Sequence, residues 1–312
     1  MPDQALGEQL NRAIESLLSG GPAAEGPAEL VEIAARLRDL PDENFKLGLK
    51  SELERRAAMP ELATTKPVRE GFRTVTPYIT VVHGERFLEF LKQTFDAEEV
   101  DRHSLAPGRF HAEVRLGDSM LMIGSGETER EQPSALHVYV SDCDATYARA
   151  IAAGAKSLGA PADRPYGERS GFVQDAFGNI LFIATRFASH PAPEGAGAIL
   201  PFVHPAKVHP YIDFLKRAFA AQQMEVFEHS GRVMHAAVRI GDAIVEMGES
   251  PDESQRLGSA YYLCVPDVDA VYERALAAGA TSVRPPTNQP YAHREAALLD
   301  PAGYTWYPAT PL

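Results

Sequence analysis

The sequence predicts an α+β protein of tandem repeats behind a helical leading segment, and three observations carry that reading. First, the chain repeats itself: Pro77, Phe90-Leu91-Lys92, His111-Ala112, Val114-Arg115, Gly117-Asp118 and Gly124 recur as Pro201, Phe214-Leu215-Lys216, His235-Ala236, Val238-Arg239, Gly241-Asp242 and Gly248. Later matches slip by one residue, from Asp142, Asp144, Tyr147, Pro165-Tyr166, Arg169, Asp175 and Gly178 to Asp267, Asp269, Tyr272, Pro290-Tyr291, Arg294, Asp300 and Gly303. Second, each repeat carries a fainter half-period, strand, helix and three strands, occurring twice. Third, the strands alternate between apolar and mixed positions, the pattern of a sheet with one face under helices.

In order along the chain, residues 1–60 read as a helical N-terminal extension. Leu6, Leu10, Ile14, Leu17 and Leu18 fall at helical spacing, and Gly20-Gly21-Pro22 ends the run. A second helix spans about Glu29 to Leu40, and a third about Asp42 to Ala58. The segment has no His or Cys and reads as a packing or homodimerisation appendage. The first repeat, residues 72–187, runs through VTPYITV, the helix GERFLEFLKQTF and strands ending in MLMIG, then LHVYV, the helix DATYARAIAAGA and the strands FVQDAFGN and ILFIAT. SHPAPEGAGA, rich in Pro, Gly and Ala, joins it to the second repeat, residues 197–312. Half-repeats of this size cannot bury a core alone, so the two units of each repeat are expected to pair and share one.

Composition narrows the function. At 312 residues, with 45% hydrophobic and 23% charged residues, the chain is an ordinary globular one. A net charge of −13 opposes binding to nucleic acid or an anionic membrane. The leading segment has no continuous apolar run, so the expected location is cytoplasmic. Cys143 and Cys264 provide neither a disulfide framework nor the paired spacing of a structural zinc site.

Strand alternation places Pro77, Ile79, Val81, Leu121, Ile123, Leu136, Val138, Val140, Leu181 and Ile183 under the helices. The opposite face carries Thr76, Tyr78, Thr80, Met120, Met122, Ala135, His137, Tyr139, Ile180 and Phe182, a polar and aromatic mixture suited to a concave ligand cup. Gly117-Asp118 and Gly241-Asp242 have two-residue hairpin chemistry, which sets Glu113 opposite Met122 and Ala237 opposite Glu246. His111, Glu113 and Arg115, and likewise His235, Arg239 and Glu246, are then expected to meet on the cup faces, orienting a polar ligand or supplying a base. The alternative is an internal Glu–Arg pair that satisfies a half-buried sheet. Glu113, Glu246, His111 and His235 are the catalytic candidates. His137 and His204 also fall on cup-facing strands, and Arg169 and Arg294 either clamp an anion or hold their own loops against Asp175 and Asp300.

With GDSMLMIG, LHVYVSDCDATYARAIAAGA and QDAFGNILFIAT in order, the chain resembles the vicinal oxygen chelate superfamily, and within it the PhnB-like glyoxalase/bleomycin-resistance group. The resemblance implies tandem glyoxalase/bleomycin-resistance domains, each of two paired βαβββ units. Metal-dependent members hold a divalent ion with His, Gln or Glu on the first and last strands of each unit. The matching positions are Thr76, Met122, Ala135 and Phe182 in the first repeat and Leu200, Glu246, Ala260 and Tyr307 in the second, so a Zn, Ni, Mn or Fe centre is disfavoured. The expected function is metal-independent binding of a small organic molecule for sequestration or resistance, with Tyr78, Tyr139, Tyr262 and Tyr307 as aromatic lining. The alternatives are a metal-dependent lyase or isomerase of the glyoxalase type, less readily a dioxygenase, and a non-catalytic scaffold acting through the N-terminal helices.

Overall fold

A computed structural model describes residues 68–69, 71–126, 131–250, 252 and 257–312. The helical extension expected over residues 1–60, with its dimerisation role, lies outside them. Four βαβββ units follow one another. The first comprises β1 (Val75–Val81), α1 (Gly84–Phe95), β2 (Glu98–Ala106), β3 (Arg109–Leu116) and β4 (Ser119–Ser125). The second comprises β5 (Ala135–Tyr139), α2 (Cys143–Ala152), β6 (Lys156–Arg164), β7 (Glu168–Gln174) and β8 (Ile180–Arg186). The third has β9 (Ile199–Val203), α3 (Val208–Phe219), β10 (Gln222–His229), β11 (Arg232–Ile240) and β12 (Ala243–Met247). The fourth has β13 (Ala260–Cys264), α4 (Val268–Ala278), β14 (Thr281–Asn288), β15 (His293–Leu299) and β16 (Thr305–Pro311).

Local chemistry sets the element ends. Asp142 and Asp267 cap α2 and α4, each accepting a hydrogen bond from the backbone N–H three residues on, Ala145 and Ala270, at 3.0 Å. Helices α1 and α3 lack such a residue and receive their acceptors from the sheet: the Ser125 hydroxyl accepts from Gly84 N at 3.0 Å, and Glu249 from Val208 N at 3.3 Å. The hairpin glycines, Gly117 and Gly241, adopt φ of 57° and 58°, a conformation that strains any residue with a Cβ. The strand register expected from them holds, with Glu113 opposite Met122 and Ala237 opposite Glu246.

Eight strands form each of two sheets, in the orders β14-β15-β16-β13-β1-β4-β3-β2 and β10-β11-β12-β9-β5-β8-β7-β6. The two units of each repeat share a core as expected, and the strand pairing, on which the sequence is silent, crosses between the repeats. Each sheet takes one unit from each repeat, joined where β1 meets β13 and where β5 meets β9, both antiparallel. What the units of one repeat share is the core beneath the helices. Phe87, Leu88 and Leu91 of α1 and Cys143 and Ala150 of α2 belong to one apolar cluster with Ile79, Leu121, Leu136 and Ile183. Tyr211, Phe214 and Leu215 of α3 and Val271 and Ala275 of α4 belong to another with Tyr261 and Trp306. Two units packed through their helices leave the open edges of β1 and β5 for the homologous units of the other repeat. A repeat reveals which segments are alike, not which copy closes a sheet.

The hairpin aspartates tie the two repeats together reciprocally. Asp242 accepts from the backbone N–H and hydroxyl of Thr74, before β1, both at 2.7 Å. Asp118 accepts from Ala198 N, before β9, at 2.7 Å. Among the described residues no helix is long and apolar enough to cross a membrane.

Candidate functional site

The cup of the second sheet is centred where the repeats meet. His137 projects from the middle of β5, with β9 on one side and β8 on the other, and is 8% exposed. Its Nδ1 lies 2.8 Å from Glu246 Oε2, on β12 of the other repeat, and its Nε2 lies 3.5 Å from Glu168 Oε1, on β7. Tyr139 stacks on the His137 ring with centroids 4.3 Å apart, and its hydroxyl donates to Glu168 at 3.3 Å. The second Glu246 oxygen is 3.8 Å from His235 Nε2, and His235 Nδ1 is 3.5 Å from Glu225.

Burial alone would lower the His137 pKa, but the field of Glu246, the hydrogen bond to it and the nearby Glu168 carboxylate outweigh it and raise the pKa to about 9. Burial would raise the Glu246 pKa; the imidazole, with His235 assisting, instead holds that carboxyl well below the usual carboxylate range. Glu168 is lowered by the same contest. Near neutral pH the cluster is an imidazolium between two carboxylates. Burial, reinforced by both glutamates, keeps the Tyr139 phenol protonated.

Aromatic rings line the rest of this cup. Phe172 meets Phe182 at 5.2 Å, Phe182 meets Phe202 at 4.8 Å, and Phe202 meets His204 at 4.8 Å between centroids. Burial pushes His204 down to about 4, so it is a neutral member of that surface.

The first sheet builds a chemically different cup. Tyr78 stacks on His111 at 5.7 Å and meets Tyr307 at 5.5 Å, while Tyr262 meets His293 edge-on at 6.4 Å. Burial lowers the His111 pKa. A cavity of about 370 Å³ here is lined by Tyr78, Thr80, Phe110, Gln132, Thr305 and Tyr307, among others. Glu113 is held in a two-bond fork by Arg69, and Glu295 is paired with Arg284 and accepts from the Tyr291 hydroxyl at 3.1 Å.

The expected trios do not form as drawn. Glu113 takes Arg69 rather than Arg115, whose guanidinium lies 3.8 Å from Glu98 on the edge strand. Glu246 takes His137 and His235 rather than Arg239, which donates to the Glu194 carbonyl at 2.7 Å. Side chains at the hairpin end of β3 and β11 reach outward, where solvent and backbone acceptors are available. Arg169 and Arg294 are also outside the cups: Arg169 pairs with Asp144 and Asp163, and Arg294 with Asp269 and the Asn288 side chain, so neither contacts Asp175 or Asp300. Both buried aspartates instead bind their own turns, Asp175 through Phe177 N and Asn179 N, Asp300 through Ala302 N and Tyr304 N. Sequence reasoning missed Glu168, Glu295 and Arg69. The signal available for Glu168 was its repeat counterpart, His293, since two unlike polar residues hold one cup-facing position.

Cross-repeat pairing regroups the positions at which related proteins hold a metal. Thr76, Met122, Ala260 and Tyr307 fall in the first cup, and Ala135, Phe182, Leu200 and Glu246 in the second. One carboxylate, already bound to an imidazole, does not fit a divalent centre that needs about three protein ligands. Among the described residues no group of three His, Cys, Asp or Glu is arranged around a metal position.

Four βαβββ units in two cupped sheets define a class, and the family comparison agrees. The sequence profile of the Glyoxalase/Bleomycin resistance protein/Dioxygenase superfamily matches residues 73–182 and 207–307, and the chain belongs to that superfamily. It is 30% identical over 118 residues to the uncharacterized protein Mb0911c of Mycobacterium bovis, covering 34% of this chain and 78% of that protein. The same identity and length relate it to the uncharacterized protein Rv0887c of Mycobacterium tuberculosis, of which 69% is covered. Among solved structures, glyoxalase I from Zea mays superposes with a TM-score of 0.60 at 13% identity, over 78% of this chain and 92% of that one. A putative dioxygenase from Bacillus subtilis gives 0.52 at 12% identity, over 78% and 84%. At these identities the structural likeness shows the fold.

Proposed function

We propose that the chain binds a small organic molecule in its cups, chiefly that of the second sheet, without a divalent ion at the positions related proteins use. The observation that supports this most is the His137 cluster. An imidazolium and two carboxylates are fixed on three strands beside a row of aromatic rings, the combination of apolar surface and few oriented polar groups that ligand sites use. Sequestration needs only this, because aromatic area supplies affinity and the fixed polar groups supply orientation.

Thermal denaturation of the full-length protein with a set of aromatic acids, amides and alcohols tests the reading. A ligand of the folded state raises the midpoint progressively with its concentration. Stabilisation by at least one compound, lost in a Phe182→Ala/Phe202→Ala variant, is the expected result. No response to any compound, or an unchanged response in that variant, would overturn it.

A further inference from the structure

We propose that the second cup carries an anion subsite formed by Arg164 and Arg186 beside His137, so that its ligand is a small organic anion with an aromatic or apolar body. This rests on the small-molecule reading above and specifies it. Arg164 of β6 and Arg186 of β8 are the two cross-strand partners of Glu168, so all three share the cup face. Arg186 stacks over the Tyr139 ring at 4.0 Å and Arg164 over the Phe172 ring at 4.7 Å, which fixes both guanidinium planes against the aromatic lining. Arg164 also donates to the Ser170 hydroxyl at 3.2 Å and the Ser170 carbonyl at 3.0 Å.

Neither arginine has a carboxylate within ion-pair distance among the described residues, although Glu168 stands between them. The Glu168 oxygens are turned toward His137 and Tyr139 instead. Elsewhere Arg69, Arg102, Arg169, Arg284 and Arg294 all hold carboxylates. Two N–H groups in this half of the cup are buried without an acceptor, His137 Nε2 and Arg186 Nε; the first is 3.5 Å from Glu168 but outside hydrogen-bond geometry. Buried donors without acceptors are costly, and a ligand oxygen that reaches them recovers that cost. Arg164, Arg186 and the imidazolium together outnumber the ionised Glu168 and Glu246, so the unmatched charge is positive. A carboxylate, sulfonate or phosphonate meets the forked donors, and its body lies on Phe172, Phe182 and Phe202.

Calorimetric titration of the full-length protein with naphthoate and with its uncharged counterpart naphthamide separates the two claims. Naphthoate is expected to bind about tenfold tighter or better, the effect of charge-assisted hydrogen bonds. That preference is expected to vanish in an Arg164→Met/Arg186→Met variant, which keeps the aliphatic stems over the rings, while naphthamide affinity is retained. In the wild-type protein, added sulfate is expected to weaken naphthoate and leave naphthamide unchanged, a readout independent of the variant's folding. Equal affinities, a preference that survives in the variant, or indifference to sulfate would overturn the subsite and leave the cup reading standing. Binding of neither compound would overturn the subsite, whereas the cup reading falls only if the wider set of compounds also leaves the thermal midpoint unchanged.

Discussion

His137 holds a proton at a pH where a free imidazole has lost it, and this has a direct consequence for stability. A pKa raised from 6.5 to about 9 means that the folded state binds the proton more tightly than the unfolded chain. The resulting stabilisation is fully present below pH 6.5, declines as pH rises through about 9, and amounts to about 3 kcal/mol at most. Glu246 and Glu168 act in the opposite direction: their lowered values give stability present above the ordinary carboxylate range and lost on acidification. Replacing His137 with Leu leaves two buried carboxylates without their cation, and a loss of about 3–5 kcal/mol is expected. Urea denaturation across pH 6 to 10 checks both points, since the variant's stability is expected to lose the alkaline decline. At this scale the sequence was informative about Glu246 and His235, because strand alternation and hairpin register fix which side chains share a face. It was silent on the partner of Glu246, because His137 lies 109 positions away and reaches it only through the β5–β9 junction.

At the scale of elements, the chain states its helix starts plainly and hides its sheet edges. Asp142 and Asp267 are legible as caps, and replacing either with Ala is expected to cost about 1 kcal/mol by thermal or urea denaturation. By contrast, α1 and α3 take their first acceptors from Ser125 and Glu249, residues at the ends of distant strands that no local pattern connects to them. Arg169 and Arg294 show the same limit. Their recurrence between repeats reflects twin pairs to Asp144 and Asp269 in the first turns of α2 and α4, not a ligand clamp. The arginines that do face a cup, Arg164 and Arg186, have no such counterpart: the equivalent positions hold Gln289 and Pro311. Repetition found the scaffold, while departures from it mark where the two cups differ.

At the scale of the molecule, each repeat supplies a helix-covered core and half of each cup. An isolated repeat, such as residues 68–192, would keep its core but expose β1 and β5 as open edges. Because the units are homologous, two copies can close each other's sheets, and sedimentation of this fragment is expected to show a dimer; a stable monomer would argue against cross-repeat closure. The donor sets also make a joint statement about metals. Adding Zn²⁺, Ni²⁺, Mn²⁺ or Fe²⁺ to the full chain is expected to leave its thermal midpoint unchanged, whereas a near-stoichiometric, stabilising ion would place a centre in a cup after all.

The cross-repeat cup and its electrostatics meet in one pair of residues, so the most direct measurement is an NMR pH titration of the His137 ring in the wild-type protein and in Glu246→Gln. The structure places the wild-type transition near pH 9 and requires it to fall when the carboxylate on the other repeat is neutralised. A His137 transition near 6.5 in both proteins, indifferent to Glu246, would contradict the shared cup on which the binding site rests.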